Sequence, residues 1–198
     1  PVTLKMRENI DATEDSGELA ADTLPANVDV RQLSLFGAGW ALGSIKSLAV
    51  ADSVTYFETT GWRGVMERAG GSLLPELFPS TAGGVYPMYH IFADVGEFAG
   101  GEVLSVVSSD ALRFDGLALR KAGRLRILLA NMTHERQTIT IRGVSGRFTL
   151  KTLDETTAER AIAVPEAFRA AAGLDVVADD AGLRLELLPY ACVRLDQP

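Results

Sequence analysis

Glu58, Trp62 and Arg63 lie close together at the end of the run Ser53-Val54-Thr55-Tyr56-Phe57-Glu58-Thr59-Thr60-Gly61-Trp62-Arg63-Gly64. A carboxylate there can take a proton from an attacking water, the work of a general base. A guanidinium can hold the negative charge that develops on a carbonyl oxygen. An indole can lie on the apolar face of a sugar ring. Arg7, upstream, could bind substrate oxygens, and Tyr56 could point into the same space. Each residue also has a plainer reading. Glu58 could cap a helix or pair with Arg63. Trp62 could anchor a loop, Arg63 and Arg7 could form structural ion pairs, and Tyr56 could pack in the core.

The five residues Ser53 to Phe57 are β-prone and mostly apolar, as a strand buried on both faces should be. A strand that ends abruptly in polar and aromatic groups is how a (β/α) barrel presents its chemistry, on the loops at the C-terminal ends of its strands. Val2 to Arg7 reads as another strand. Glu8 to Asp22 follows with six acids and no base, a solvated loop. A helix is expected from near Asp29, its N-cap, with Leu33, Phe36, Trp40, Leu42, Ile45 and Leu48 at helical spacing. After a loop holding Pro75, Pro79, Gly83 and Gly84, a second helix is expected from Tyr86 to Phe98. Strand, helix, strand, helix implies parallel strands with crossover helices.

From about Gly100 the pattern changes. Glu102 to Val107, Leu112 to Arg120, Leu125 to Asn131, Gln137 to Arg142, Phe148 to Leu153, Leu183 to Leu188 and Cys192 to Leu195 all read as strands. Thr138 to Arg142 alternates cleanly, with one buried and one wet face. Lys121-Ala122-Gly123-Arg124 is a hairpin turn. Pro165 to Ala172 reads as a short helical insert with proline in its first turn. Many short strands separated by turns point to an antiparallel sandwich.

Composition narrows the function. The chain has 198 residues, 47% of them hydrophobic, and a formal charge of −7 with no basic run. That excludes a nucleic-acid surface. No apolar run reaches the length needed to span a bilayer, so no membrane contact is expected. The single cysteine, Cys192, sits in an apolar strand and reads as a buried inert thiol, which suits a cytoplasmic setting. The two histidines, His90 and His134, are far apart, so neither a metal site nor a cofactor is expected. Gly37-Ala38-Gly39 lies inside a helical pattern and fails as a phosphate loop. The sequence begins at Pro1, directly in a strand-like run, and is expected to be a piece of a longer protein.

Four segments carry a family resemblance: Pro1-Val2-Thr3-Leu4-Lys5, Gln32-Leu33-Ser34-Leu35-Phe36-Gly37-Ala38, Ser53 to Gly64, and Phe92-Ala93-Asp94-Val95-Gly96-Glu97-Phe98. Together they resemble the D-apionate lactonase family, which joins a glycosidase-like barrel to a C-terminal sandwich. The closing run Leu185 to Leu195, with Pro189 and Tyr190 in its turn, is similar to the last strands of such sandwiches. The resemblance implies an α+β chain. Residues 1–98 would hold the seventh and eighth strand–helix units of a (β/α) barrel, and residues 99–198 an antiparallel β-sandwich. It implies hydrolysis of the lactone of a branched sugar acid, with a small sugar or sugar acid as the partner.

A glycoside hydrolase is the alternative enzyme. That chemistry would place a nucleophile at the end of strand seven, where Arg7 and Glu8 point to opposite faces, so only one can look into the barrel. A non-catalytic carbohydrate-binding or structural sandwich is the third reading. Two strand–helix units cannot close a barrel, so pairing of copies through exposed strand edges is also expected. The chain alone is expected to be inactive.

Overall fold

The computed structural model describes residues 2–5 and 22–198. A 3-10 turn over Val30–Leu33 leads to helix α1 (Leu35–Leu48), and helix α2 spans Pro87–Gly96. Strands β1 (Glu102–Leu104), β2 (Phe114–Lys121), β3 (Arg124–Asn131), β4 (Gln137–Ile141) and β5 (Gly146–Leu153) follow. Short helices α3 (Ala158–Ala163) and α4 (Pro165–Ala170) precede β6 (Leu174–Ala178), β7 (Leu183–Leu187) and β8 (Cys192–Gln197).

The strands form two antiparallel sheets. One has six strands in the order β1-β2-β3-β8-β5-β6, and the other pairs β4 with β7. Alternating strand residues supply one core between the sheets, which includes Ile127, Leu129, Ile139, Phe148, Leu185 and Leu195. The other face of the six-stranded sheet carries Leu117, Leu119, Leu128, Ala130, Leu153 and Cys192, which pack with Ala38, Ala41 and Leu42 of α1 and with Met88 and Ile91 of α2. The large sheet is therefore covered on both faces. This is why β2 and β3 read as continuous apolar runs, whereas β4 and β7, wet on one side, alternate.

The hairpin expected at Lys121 to Arg124 is present. Ala122 and Gly123 take φ of 50° and 82°, the left-handed pair that a tight turn between right-twisted strands requires. Leu183–Leu187 and Cys192–Gln197 lie where the sequence places its last two strands.

Several expectations need correction. Asp29 caps the 3-10 turn, accepting from the Arg31 backbone N–H, and does not cap the long helix. The chain breaks at Ser34, whose extended backbone and hydroxyl cap α1, taking the Gly37 N–H at 3.3 Å. The buried face of α1 is the small-residue face Gly37, Ala38, Gly39, Ala41 and Leu42, while Trp40 on another side meets Phe57 at 6.2 Å between ring centroids. At Gly39 a β-carbon would press on Met132 and Ala130, so this glycine lets the helix settle on the sheet.

Among the described residues, the two expected barrel strands carry no ladder. Val2 to Lys5, the described part of the first, joins Ser53 to Phe57 only through the Val2 N–H and Thr55 carbonyl, 2.7 Å apart. A parallel strand is held by a series of such bonds, and one bond fixes proximity without regular pairing. Arg7 and Glu8 lie outside the described residues. Strand β6 and helix α3 were not expected from the sequence.

Candidate functional site

The chain leaves Phe57 and turns back on itself through a compact loop. The Glu58 N–H donates to the Arg63 carbonyl at 2.9 Å, closing the turn. Thr60 and Met66 form a parallel bridge, and Met66 bridges to Val85. Gly64 is required by space: a β-carbon there would sit 2.6 Å from the Thr60 backbone. The loop thus brings Glu58 and Arg63 together, with Arg63 Nε 3.2 Å from Glu58 Oε1. Their side chains remain 44% and 48% exposed.

Trp62 and Tyr56 are placed differently. The Trp62 indole N–H donates to Ser72 Oγ at 2.9 Å, and its ring leans on Phe78, so it is half-buried in the loop's own packing. Tyr56 turns toward the helices. Its hydroxyl lies 3.0 Å from Ser44 Oγ of α1, and its ring meets Phe92 of α2 edge-on at 5.1 Å.

Three buried polar groups hold the loop from beneath. Gln32, 2% exposed, donates from its amide nitrogen to the Trp62 carbonyl at 2.6 Å and to the Gly64 carbonyl at 3.1 Å. Tyr86 shares its hydroxyl proton between the Gly61 carbonyl at 3.1 Å and Glu67 Oε2 at 3.2 Å. Glu67, 3% exposed, also accepts from Ser80 Oγ at 2.5 Å and from the Arg68 N–H at 2.7 Å. Burial, with the Glu67 carboxylate beside it, pushes the Tyr86 phenol well above its usual range, so it stays a donor.

Beside Arg63 a small cleft is lined by Lys5, Asn27, Asp29 and Gln32 over Phe57. Asp29 is nearly buried, and its two oxygens take the Arg31 backbone N–H and the Arg31 guanidinium at 2.6 to 3.1 Å. Those hydrogen bonds outweigh burial and hold its carboxyl below the usual range. Asp29 is therefore a committed ionised cap, whereas the Glu58 side chain is 44% exposed. Sequence reasoning missed Lys5, Asn27 and Gln32. The one available signal was Gln32, an amide among the apolar residues Val30, Leu33 and Leu35.

A larger cavity, about 470 Å³, lies elsewhere, beside the core between the two sheets, lined by Ala118, Ile127, Leu129, Ile139 and Ile141. It contains none of the polar groups above. His90 is buried with its Nε2–H on the Ala161 carbonyl at 3.0 Å, and burial keeps it neutral by lowering its pKa. His134 is an exposed turn residue. Cys192 is buried, and desolvation pushes its thiol up to about 12, consistent with an inert thiol. Among the described residues no three His, Cys, Asp or Glu side chains cluster to hold a metal, and no helix is long and apolar enough to cross a membrane.

The fold is similar to a GH30 endoxylanase from Clostridium papyrosolvens C71, with TM-score 0.56 and 9% identity over 85% of this chain. The chain spans 39% of that enzyme's length. Looser matches are a bifunctional glucanase-xylanase, CelM2, from a metagenome library (TM-score 0.42, 16% identity, 57% of this chain and 22% of that one) and the family 44 endoglucanase Cel44A from Clostridium thermocellum (0.36, 11%, 48% and 18%). No curated protein sequence matches the chain. Residues 1–100 match the D-apionate lactonase TIM barrel domain and residues 111–195 the D-apionate lactonase C-terminal immunoglobulin-like domain. With its barrel-derived helices, its antiparallel sandwich and both halves matched, the chain belongs to the D-apionate lactonase family.

Proposed function

We propose that the whole protein hydrolyses the lactone of a branched sugar acid, D-apionate lactone being the substrate that the family name supplies. The observation that supports this reading is the half-exposed Glu58–Arg63 pair, 3.2 Å apart, just after the segment Ser53 to Phe57 that the sequence reads as the last barrel strand.

Lactone hydrolysis needs a base for water and a donor for the oxyanion. Glu58 takes a proton as the water oxygen bonds to the lactone carbonyl carbon. The carbonyl oxygen gains negative charge, and the Arg63 guanidinium donates to it. The tetrahedral centre then collapses. Its bond to the ring oxygen breaks, that oxygen takes up a proton, and the product is the open-chain hydroxy acid. Lys5, at the rim of the adjacent cleft, adds positive charge where the product carboxylate forms. The partner is a small sugar acid, and no step calls for a metal.

The test is a pH-stat assay of the whole protein on D-apionate lactone. Acid release well above the spontaneous rate is expected. No release above that rate, together with cleavage of aryl glycosides, would replace the lactonase reading with a glycosidase.

A further inference from the structure

Gln32 grips the backbone on either side of Arg63. Its amide nitrogen has two protons, and both are spent: one on the Trp62 carbonyl at 2.6 Å and one on the Gly64 carbonyl at 3.1 Å. Carbonyl oxygens only accept, so the amide orientation is fixed without ambiguity. The residue between those two carbonyls is Arg63, whose own carbonyl takes the Glu58 N–H at 2.9 Å. Three successive carbonyls, 62, 63 and 64, are thus each assigned a donor, and two of the three bonds come from one buried side chain.

Gln32 itself is held rigidly. It belongs to the 3-10 turn that Asp29 caps, its side chain is 2% exposed, and its backbone N–H bonds to the Asp29 carbonyl at 3.1 Å. A buried amide that makes only loop contacts would be an expensive way to pack an apolar turn, because leaving it unpaired is costly. Its geometry has a more specific result. It fixes the backbone φ and ψ on both sides of Arg63, and therefore the direction in which the guanidinium leaves the loop toward Glu58.

We infer that Gln32 is a positioning residue for Arg63: through the carbonyls of Trp62 and Gly64 it sets the guanidinium at the place where the oxyanion of the lactone develops. The inference rests on the role given above to Glu58 and Arg63. It also explains why the pair can be half-exposed and still have one geometry. The precision comes from beneath the loop, from a residue that is itself 2% exposed. A misplacement of about 1 Å at such a group can cost roughly a hundredfold in rate.

The test is a double-mutant cycle on lactone hydrolysis in the whole protein, with Gln32→Leu, Arg63→Ala and the pair, following kcat and KM separately alongside thermal melting. Gln32→Leu is expected to lower kcat roughly ten- to a hundredfold. In the Arg63→Ala background the same change should have less than about a twofold effect, because coupled residues are non-additive. A merely structural residue would lower activity by the same factor in both backgrounds, and that outcome overturns the inference. Loss of activity in Arg63→Ala with normal turnover in Gln32→Leu also overturns it, while leaving the function of the pair standing. Full activity in Arg63→Ala removes Arg63 from the reaction and the positioning role with it. Should Gln32→Leu fail to fold, Gln32→Asn carries the same cycle, since it keeps the donor but draws it back by one methylene.

Discussion

Glu58 and Arg63 meet at 3.2 Å with nearly half of each side chain in water. At the seam between α2 and the six-stranded sheet, Arg126 is 2% exposed and is gripped from several sides. It bonds Asp196 at 2.6 Å, Glu97 at 2.6 Å and the Asp94 carbonyl at 2.9 Å, and lies over the Phe98 ring. Arg169 and Arg194 close on the same Asp94 at 2.8 and 2.7 Å. Both sites are guanidinium–carboxylate chemistry. In the first, the paired side chains stay nearly half exposed, and buried groups hold the backbone beneath them. In the second, each charge is consumed by another, and the result is adhesion between a helix and a sheet. Charged residues are therefore weak evidence of function until their remaining hydrogen-bonding capacity is counted.

Three measurements test this contrast. Arg126→Ala removes the buried guanidinium that joins Asp196 and Glu97 and leaves each carboxylate only its second arginine, Arg194 or Arg169, so the loss should approach, at its upper limit, the about 3–5 kcal/mol typical of breaking a buried pair. Chemical denaturation should show that loss, with KM unchanged in whatever protein still folds; a loss below about 1 kcal/mol would rank Arg126 with ordinary surface pairs. Glu58→Gln should do the reverse, lowering turnover at least about tenfold, since a positioned base contributes roughly 10²–10⁴, with the melting temperature little changed. Near-normal turnover would remove Glu58 as the base.

The smallest effect concerns pH. Burial raises the Glu97 carboxyl, but the hydrogen bonds from Arg126 and Arg169 outweigh it and hold the group below its ordinary value of 4.5. A carboxyl lowered on folding stabilises the protein fully above that ordinary value and stops doing so as pH falls through the lower folded one. Stability measured downward from pH 5 should therefore decline, and Glu97→Gln should flatten part of that decline. An unchanged slope would assign the acid sensitivity to other carboxyls.

Much of the sandwich was legible in the sequence because its signals are local. Thr138 to Ile141 alternates, Ala122-Gly123 turns, and the apolar runs of β2 and β3 announce a sheet covered on both faces. Leu174–Ala178 was missed because two of its apolar residues, Leu174 and Val177, are exposed and its pattern is irregular. The site was half legible. Glu58 and Arg63 are near neighbours in the chain, so their meeting could be anticipated. Gln32 could not be tied to Trp62 and Gly64, because the link depends on how a turn from one segment docks under a loop from another. Helical periodicity also hid the break at Ser34, since the 3-10 turn and α1 share one apolar stripe.

The two-faced sheet has a consequence for inheritance. Leu117, Leu119, Leu128, Ala130 and Cys192 meet the helices of the preceding half. A recombination event that moved the C-terminal half alone into a new gene would carry that greasy face into water, with Arg126 keeping Asp196 but losing Glu97 and the Asp94 carbonyl. The two halves are expected to be transmitted as a unit, and a free-standing relative of this sandwich would need polar substitutions at those positions.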